Sequence, residues 1–308
     1  MSTRAEQIHI LTAQLEQGVK DVFQSEHYQQ FLRTMSRFHS YSINNQILIH
    51  LQCPEASYVA GYTRWRNEFH RHVKAGEQGI HILAPAPYKR REEIEDPVTH
   101  EKTTRQITVM SYRPAVCFDY SQTEGEPLPE LTQELIGNVP CYEEMLEAIR
   151  RIASPVPIEF VDIAGSAYGY YSPGEDRIIV QRGLSQIQTV KTTLHEFSHS
   201  LLHNKAAQTD CRKDRQTMEV EAESVAYVVS TALGLSVEEY SFPYIASWSS
   251  GRDIRELKSS LETIRQTSCH IIDQVQTEMR NIRLEHSQQF LVNQELTEHN
   301  RHQSQIHL

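Results

Sequence analysis

The chain is 308 residues long with 39% hydrophobic residues, enough for two domains with cores of their own, and its formal net charge is −10. An acid excess of this size excludes a protein coated in nucleic-acid-binding surface, and no stretch approaches the roughly 18 apolar residues of a membrane helix. Five cysteines, odd in number and nowhere spaced C-x-x-C, exclude a disulfide framework and a cysteine-based zinc site and fit a reducing cytosol. The opening stretch MSTRAEQIHILTAQLEQ lacks the apolar segment of a secretory signal, so a cytoplasmic protein with no membrane partner is expected. The charge is uneven: residues 1–120 hold 14 Lys and Arg against 13 Asp and Glu, the remainder 16 against 27. Within 53–91, Arg64, Arg66, Arg71, Lys74, Lys89, Arg90 and Arg91 outnumber Glu55, Glu68 and Glu77, so a local basic patch can meet phosphate on an acidic protein.

In chain order, Ile8, Leu11, Leu15 and Val19 recur at helical spacing and predict a first helix that ends near Gly18. A second, about Ser25 to Phe38, carries Tyr28, Phe31, Leu32 and Met35 on one face, and a third starts at Ser42 and stops at Pro54. YVAGYTRW, GIHILAP and ITVMSYRPAVCFDY then predict strands, with the charged KRREEIEDPVTHEKTTR as a solvated hairpin loop and SQTEGEPLPE as a linker. A domain boundary is expected near 125–135. Beyond it come a helix around Cys141 to Ile152, the strand IEFVDI, two strands flanking a turn in SAYGYYSPGEDRIIVQ, a helix from about Ser185 to Leu202, and another from near Met218 to Gly234. SFPYIASWSSG is expected to be irregular. Leu257, Leu261, Ile264, Ile271, Val275, Met279 and Ile282, with Ser268 in register, predict a long final helix whose apolar stripe packs on its own domain.

TLHEFSHSLLHN contains H-E-x-x-H: His195, Glu196 and His199. Residues four apart share a helix face, so both imidazoles can aim at one ion while Glu196 takes a proton from a water beside it. Zn2+ suits two histidines with a carboxylate and leaves a position open for water. MEVEAESVAYVV supplies Glu219, Glu221 and Glu223 on the next helix, with Ala222, Val225, Ala226 and Val229 as its buried stripe. Glu221 ranks first as third ligand and Glu219 second. His203, one turn beyond His199, has two readings, a support for the site and, preferred, an exposed helix-end residue; Tyr168, Tyr170 and Tyr171 on the preceding hairpin either pack there or supply one ring that reaches over the ion to an oxyanion.

HEFSHSLLH followed by EVEAESVA resembles the zinc-peptidase domain of ImmA/IrrE-type proteins and of the C-terminal half of ArdC-type antirestriction proteins. The Glu-Ala pair is similar to the ligand-bearing helix of thermolysin-like gluzincins. This resemblance implies zinc held by His195, His199 and Glu221 with Glu196 as catalytic base.

The N-terminal stretch interleaves Phe38, Tyr41, Tyr58, Tyr62, Trp65 and Phe69 with cations, the pattern of a surface on which single-stranded bases stack while phosphates meet positive charge. RFHSYSINNQILI, VAGYTRW, VKAGEQGIHILAP and FDYSQTEGEPLP resemble the N-terminal, single-stranded-DNA-binding domain of ArdC-like proteins. That likeness implies Arg37, Tyr41, Asn44, Asn45, Trp65, Arg66 and Lys74 as DNA contacts. The expected class is α+β: an N-terminal α+β DNA-binding domain (1–128), a zincin-like metallopeptidase domain (135–250), a C-terminal helix (252–285) and an unstructured tail (286–308). The function implied is that of a mobile-element antirestriction protein acting on single-stranded DNA and a DNA-associated protein substrate. The alternative is a non-catalytic DNA-shielding protein in which zinc is structural.

Overall fold

Thr3 starts the first helix, α1 (Arg4–Val22), with a capping box: its hydroxyl accepts from the Glu6 amide and its own amide donates to the Glu6 carboxylate. The computed structural model describes residues 3–95, 102–128, 142–210, 213–235, 242 and 245–306. It forms two compact units, Met1–Leu131 with Phe242–Lys258 and Thr132–Ser241 with Ser259–Leu308. The segment from Phe242 therefore belongs with the first unit, not with the metallopeptidase-like domain as expected.

In the first unit, α1 runs one turn past Gly18. A Cβ there would lie 2.7 Å from Leu51 and 2.8 Å from Ile47, so this glycine lets α1 close on α3 and does not end the helix. Helix α2 (Ser25–Arg37) buries Tyr28, Phe31, Leu32 and Met35. Helix α3 (Ile43–Gln52) is capped by Ser42, whose hydroxyl accepts from the Asn45 amide. YVAGYTRW divides at Gly61 into strand β1 (Val59–Gly61) and helix α4 (Tyr62–Asn67), because the turn into a helix buries Trp65. Strands β2 (Arg71–Val73), β3 (Ile80–Pro85), β4 (Tyr88–Glu95), β5 (Lys102–Val109), β6 (Tyr112–Asp119) and β7 (Thr123–Gly125) follow. The order β1-β6-β3 is antiparallel throughout, with Val59 opposite Asp119 and Ile80 opposite Cys117. Phe38, Ile49, Ala56, Val59, Ile80, Ile82 and Cys117 form one core cluster.

Two expectations change in this unit. Much of the charged stretch expected to be a loop is paired strand, β4 on β5 with Arg90 opposite Ile107, because alternate residues of a two-stranded ribbon can all stay solvated. The start of the expected linker is also structured. β7 pairs with β2, and the buried Arg71 guanidinium donates to Thr123 Oγ1 (2.8 Å), to the Thr123 and Gly125 carbonyls (2.9 and 3.2 Å) and to the Glu126 carbonyl.

The second unit contains α5 (Tyr142–Ala153), β8 (Ile158–Val161), β9 (Gly169–Ser172), β10 (Arg177–Gln181), α6 (Gln186–Leu202), α7 (Lys205–Asp210) and α8 (Arg215–Ala232). Its sheet has β10 in the centre, parallel to β8 and antiparallel to β9, which is an edge strand among the described residues. Ile178, Ile179 and Val180 of β10 are buried, the mark of a central strand covered on both faces. Helix α6 packs against β10 and β9 on one side and against α8 on the other. SFPYIASWSSG, expected to be irregular, contains the short helix α9 (Ile245–Ser249); Trp248 there tilts against Phe23, at 5.4 Å between ring centroids, within the first unit.

Helix α10 (Ile254–Ile306) buries the whole predicted stripe from Leu257 to Ile282, Ser268 included. It continues through the segment expected to be unstructured. Residues 286–306 contain neither glycine nor proline, so nothing in the covalent chain interrupts the helix. Among the described residues no helix is long and apolar enough to cross a membrane.

Candidate functional site

Helix α6 reconciles many polar residues with burial by local bonding. Thr189, Thr193 and Ser198 hydroxyls donate to the carbonyls four residues back at 2.9, 2.7 and 2.7 Å, while Val190, Leu194 and Phe197 fill the core. The opposite side carries His195 and His199, whose Nε2 atoms lie 3.1 Å apart. Helix α8 approaches closely because Ala222, Val225, Ala226 and Val229 are small and fully buried. That approach brings Glu219 Oε2 to 3.6 Å from both Nε2 atoms.

These three residues form a group whose ligand atoms all lie within 4.8 Å of one another. A tetrahedral zinc with bonds of about 2.05 Å needs ligand–ligand separations of about 3.3–3.4 Å, and the observed 3.1, 3.6 and 3.6 Å bracket that value. The donor set thus fits a divalent cation with three protein ligands and an open position. Its electrostatics fit as well. Burial pushes the His195 imidazole down, but Glu219, Glu223 and Glu196 carry it up to about 10, and negative charge that favours a proton at this point favours a cation too. Bonds to His195 and His199 hold the Glu219 carboxyl far below the ordinary carboxylate range.

Two further carboxylates complete the centre. Glu223 Oε2 sits 2.9 Å from His195 Nδ1, close enough for an ion pair though not aligned as a hydrogen bond. It stands on the side of the ring away from the His199 and Glu219 ligand atoms. Glu196 is buried. Burial pushes its carboxyl up, against the pull of His195, His199 and a hydrogen bond from the Tyr171 backbone. Gly169 makes room for it: a Cβ at 169 would stand 2.6 Å from Thr192 Cγ2, 2.8 Å from the Ile179 carbonyl and 3.4 Å from Glu196 Cγ. A cleft of about 440 Å³ opens here, lined by residues that include Tyr168, Gly169, Lys191, His195, Glu196 and Glu223. Of the three hairpin tyrosines, Tyr168 lines the cleft and is exposed, while the Tyr171 hydroxyl is committed to Asp176 at 2.7 Å.

Glu221, expected as the third ligand, is not at the histidine pair. It is fully buried (0% exposed), and its oxygens take the Lys213 ammonium (2.7 Å to each), His203 Nε2 (3.2 Å) and Ser260 Oγ (3.1 Å). Helical phase explains the exchange. Residues 219 and 223 are four apart and share a face, whereas 221 is rotated about 200° from 219. Burial pushes the Glu221 carboxyl up, but those donors outweigh it and hold it ionised. His203, expected at the surface, is 4% exposed for the same reason. Removing one partner of a buried ion pair leaves the others unpaired. Glu221→Ala should therefore lower the free energy of unfolding by about 3 kcal/mol, the low end for such a pair because Lys213 is partly solvated. Urea unfolding with excess chelator measures this, and Glu219→Ala, at a side chain 51% exposed, should shift the same curve by less than Glu221→Ala does.

The N-terminal candidates separate by burial. Trp65 is fully buried and its indole N–H donates to the Phe118 carbonyl at 2.9 Å, so it has no face to offer a base. Asn45 is also buried; its amide brackets the Leu83 backbone of β3, donating at 3.1 Å and accepting at 2.9 Å. Tyr41 is half-buried and its hydroxyl donates to the Val59 carbonyl at 3.0 Å. Asn44 is half-buried, with a side-chain oxygen that meets no protein donor. Arg37, Arg66 and Lys74 are exposed; Arg37 reaches the Ala56 carbonyl at 3.1 Å and Lys74 the Ser121 carbonyl at 2.7 Å. One residue outside the expected set stands out. Tyr62, 53% exposed, lies one helical turn before Arg66 on α4. Its place in GYTRWR among cations is the sequence signal for it, overshadowed there by the larger ring of the tryptophan.

Comparison with known proteins gives three findings. Residues 2–116 match the N-terminal domain of anti-restriction factor ArdC. An uncharacterized protein of Bacillus anthracis is 26% identical over 288 residues, covering 82% of this chain and 48% of its own length, so the chain spans about half of that relative. Crystal structures of the antirestriction ArdC protein from the R388 plasmid, one metal-free and one Mn(II)-bound, are 21% identical, with TM-scores of 0.47 and 0.48; each comparison covers 78% of this chain and 86% of the other. What the comparisons show is therefore an N-terminal domain, over residues 2–116, of the kind found in anti-restriction factor ArdC.

Proposed function

We propose that the second unit is a metal-dependent peptide hydrolase and that the first binds single-stranded DNA, so that hydrolysis is directed to proteins on or near DNA in an antirestriction role. The convergence of His195, His199 and Glu219 beside the buried Glu196 carries this reading. Zinc is the metal proposed, because two imidazoles and one carboxylate without sulfur form a catalytic donor set, whereas structural sites are closed and usually rich in cysteine. Bound there, the ion supplies Lewis acidity toward a water and a peptide carbonyl.

The chain's own groups account for the rest. Glu196 is oriented by the Tyr171 backbone and by packing against Gly169, and it accepts and returns the proton. Strand β9 borders the cleft at Gly169, and its outer edge, which pairs with no strand among the described residues, can take an extended peptide as an added strand. Tyr168 at the rim is available to a developing oxyanion. An open cleft of about 440 Å³ favours this over a shielding protein with a closed structural ion.

For the first unit, Tyr62 and Arg66 offer a ring and a cation on one exposed helical face, with Arg37 and Lys74 as further cations.

The test is a zinc titration of chelator-treated protein, followed by competition with a chelating dye. One equivalent is expected to bind. Glu219→Ala should weaken it by at least the 10–100-fold that losing even an outer-sphere partner costs. Absence of a stoichiometric site, or a Glu219→Ala affinity equal to the parent's, removes the basis of the proposal.

A further inference from the structure

We infer that His203 is a positioning residue for His199, the inner end of a buried relay that runs His199–His203–Glu221–Lys213 and is closed from α10 by Ser260. The inference rests on the metal reading above and extends it to residues outside the ion's own ligand group.

The geometry is a continuous chain. His199 Nε2 faces His195 Nε2 and Glu219, and its other nitrogen, Nδ1, lies 3.0 Å from His203 Nδ1. His203 Nε2 lies 3.2 Å from Glu221 Oε2. The proton inventory allows one arrangement. A histidine that offers Nε2 to a cation carries its proton on Nδ1, so His199 Nδ1–H donates and His203 Nδ1 accepts. His203 then has its own proton on Nε2, where it donates to a carboxylate that cannot be anything but an acceptor. Lys213, at 2.7 Å from both oxygens, and the Ser260 hydroxyl, at 3.1 Å, keep that carboxylate ionised and fixed. His203 is held at its backbone too, its amide donating to the His199 carbonyl at 2.8 Å as the cap of α6.

The two ligand histidines are therefore oriented differently. His195 has the carboxylate of Glu223 at its outer nitrogen. His199 has a neutral imidazole, with a carboxylate and a lysine behind it. Glu221 is kept in the fold to set the tautomer of His203, which accounts for a charged group at 0% exposure two residues from the carboxylate that faces the ion.

Two replacements of His203 separate positioning from packing. His203→Asn keeps an acceptor near the Nδ1 position and loses volume; His203→Phe keeps volume and loses the acceptor. Zinc affinity is measured by dye competition, the visible spectrum of the Co(II)-loaded protein reports ligand geometry, and thermal unfolding in excess chelator reports the fold without metal. The expected result is a 10–100-fold loss of zinc affinity with an altered Co(II) spectrum for His203→Phe, and a smaller loss for His203→Asn even where its unfolding temperature is the lower of the two. Glu221→Gln, which retains a hydrogen-bonding partner for His203 but no charge, should fall between the parent and His203→Phe. Parent-like zinc affinity in His203→Phe, or affinities that simply follow unfolding temperature, overturns the relay while leaving the metal site standing. A parent protein that binds neither Zn2+ nor Co(II) stoichiometrically overturns both.

Discussion

Glu196→Gln is expected to slow cleavage of an unstructured protein such as casein by roughly 10²–10⁴-fold, the range for loss of a positioned general base, with zinc stoichiometry unchanged. Glutamine has the same shape and keeps an oxygen to accept the Tyr171 backbone bond, so the group's position is preserved while its basicity is removed. The substitution does not leave a hole at Gly169, where packing is close. It also removes a carboxylate whose burial already works against ionisation, so the chelator-treated protein should unfold no more readily than the parent. Hydrolysis at the parent's rate would show that Glu196 is not the base. If the parent itself shows no turnover while binding zinc, the peptidase reading fails and the shielding alternative stands.

The parts of the site that lie along one helix are legible in the sequence. His195, Glu196 and His199 come from a single element whose period is fixed at 3.6 residues, so spacing alone places both imidazoles on one face. The N-cap at Ser42 and the apolar stripe of α10 are local in the same sense. The third ligand is not legible in that way, because it depends on the rotation of α8 against α6. Ala222, Val225, Ala226 and Val229 do form the buried stripe that their spacing predicts, but the stripe constrains only which side is packed. It leaves open whether a glutamate at its margin turns toward the histidines or toward a lysine just ahead of α8 and a serine from α10, 39 residues on. Lys213 and Ser260 are what capture Glu221, and no pattern within MEVEAESVAYVV announces either. The β4–β5 ribbon is hidden for the opposite reason. Its exposed face carries charge, and charge without apolar alternation reads as loop even when the backbone pairs across eight residues.

Trp65→Ala is expected to destabilise the first unit by about 3–5 kcal/mol, the cost of emptying a large aromatic site in a packed core, and to lose DNA binding only in proportion to unfolding. The indole is fully enclosed and packs against the rings of Tyr58, Phe69 and Tyr120 at 5.6, 5.2 and 6.3 Å between centroids. Its removal also strands the Phe118 carbonyl that the indole N–H satisfies, in the strand that pairs with both β1 and β3. Interleaved aromatic and basic residues describe a stacking platform and a charged core margin equally well; burial separates them, and here it assigns the tryptophan to the core. Tyr62→Ala with Arg66→Ala is the matching surface change. Both side chains are exposed on α4, so urea unfolding should stay within ~0.5 kcal/mol of the parent. Affinity for a single-stranded oligonucleotide should fall roughly 5- to 150-fold, the equivalent of one lost stacked base at about 1–3 kcal/mol. Salt must be held constant across the series, because phosphate contacts make affinity steeply salt-dependent. A stable Trp65→Ala protein with selectively lost DNA affinity would return the tryptophan to the binding surface, and a double variant that binds like the parent would remove Tyr62 and Arg66 from it.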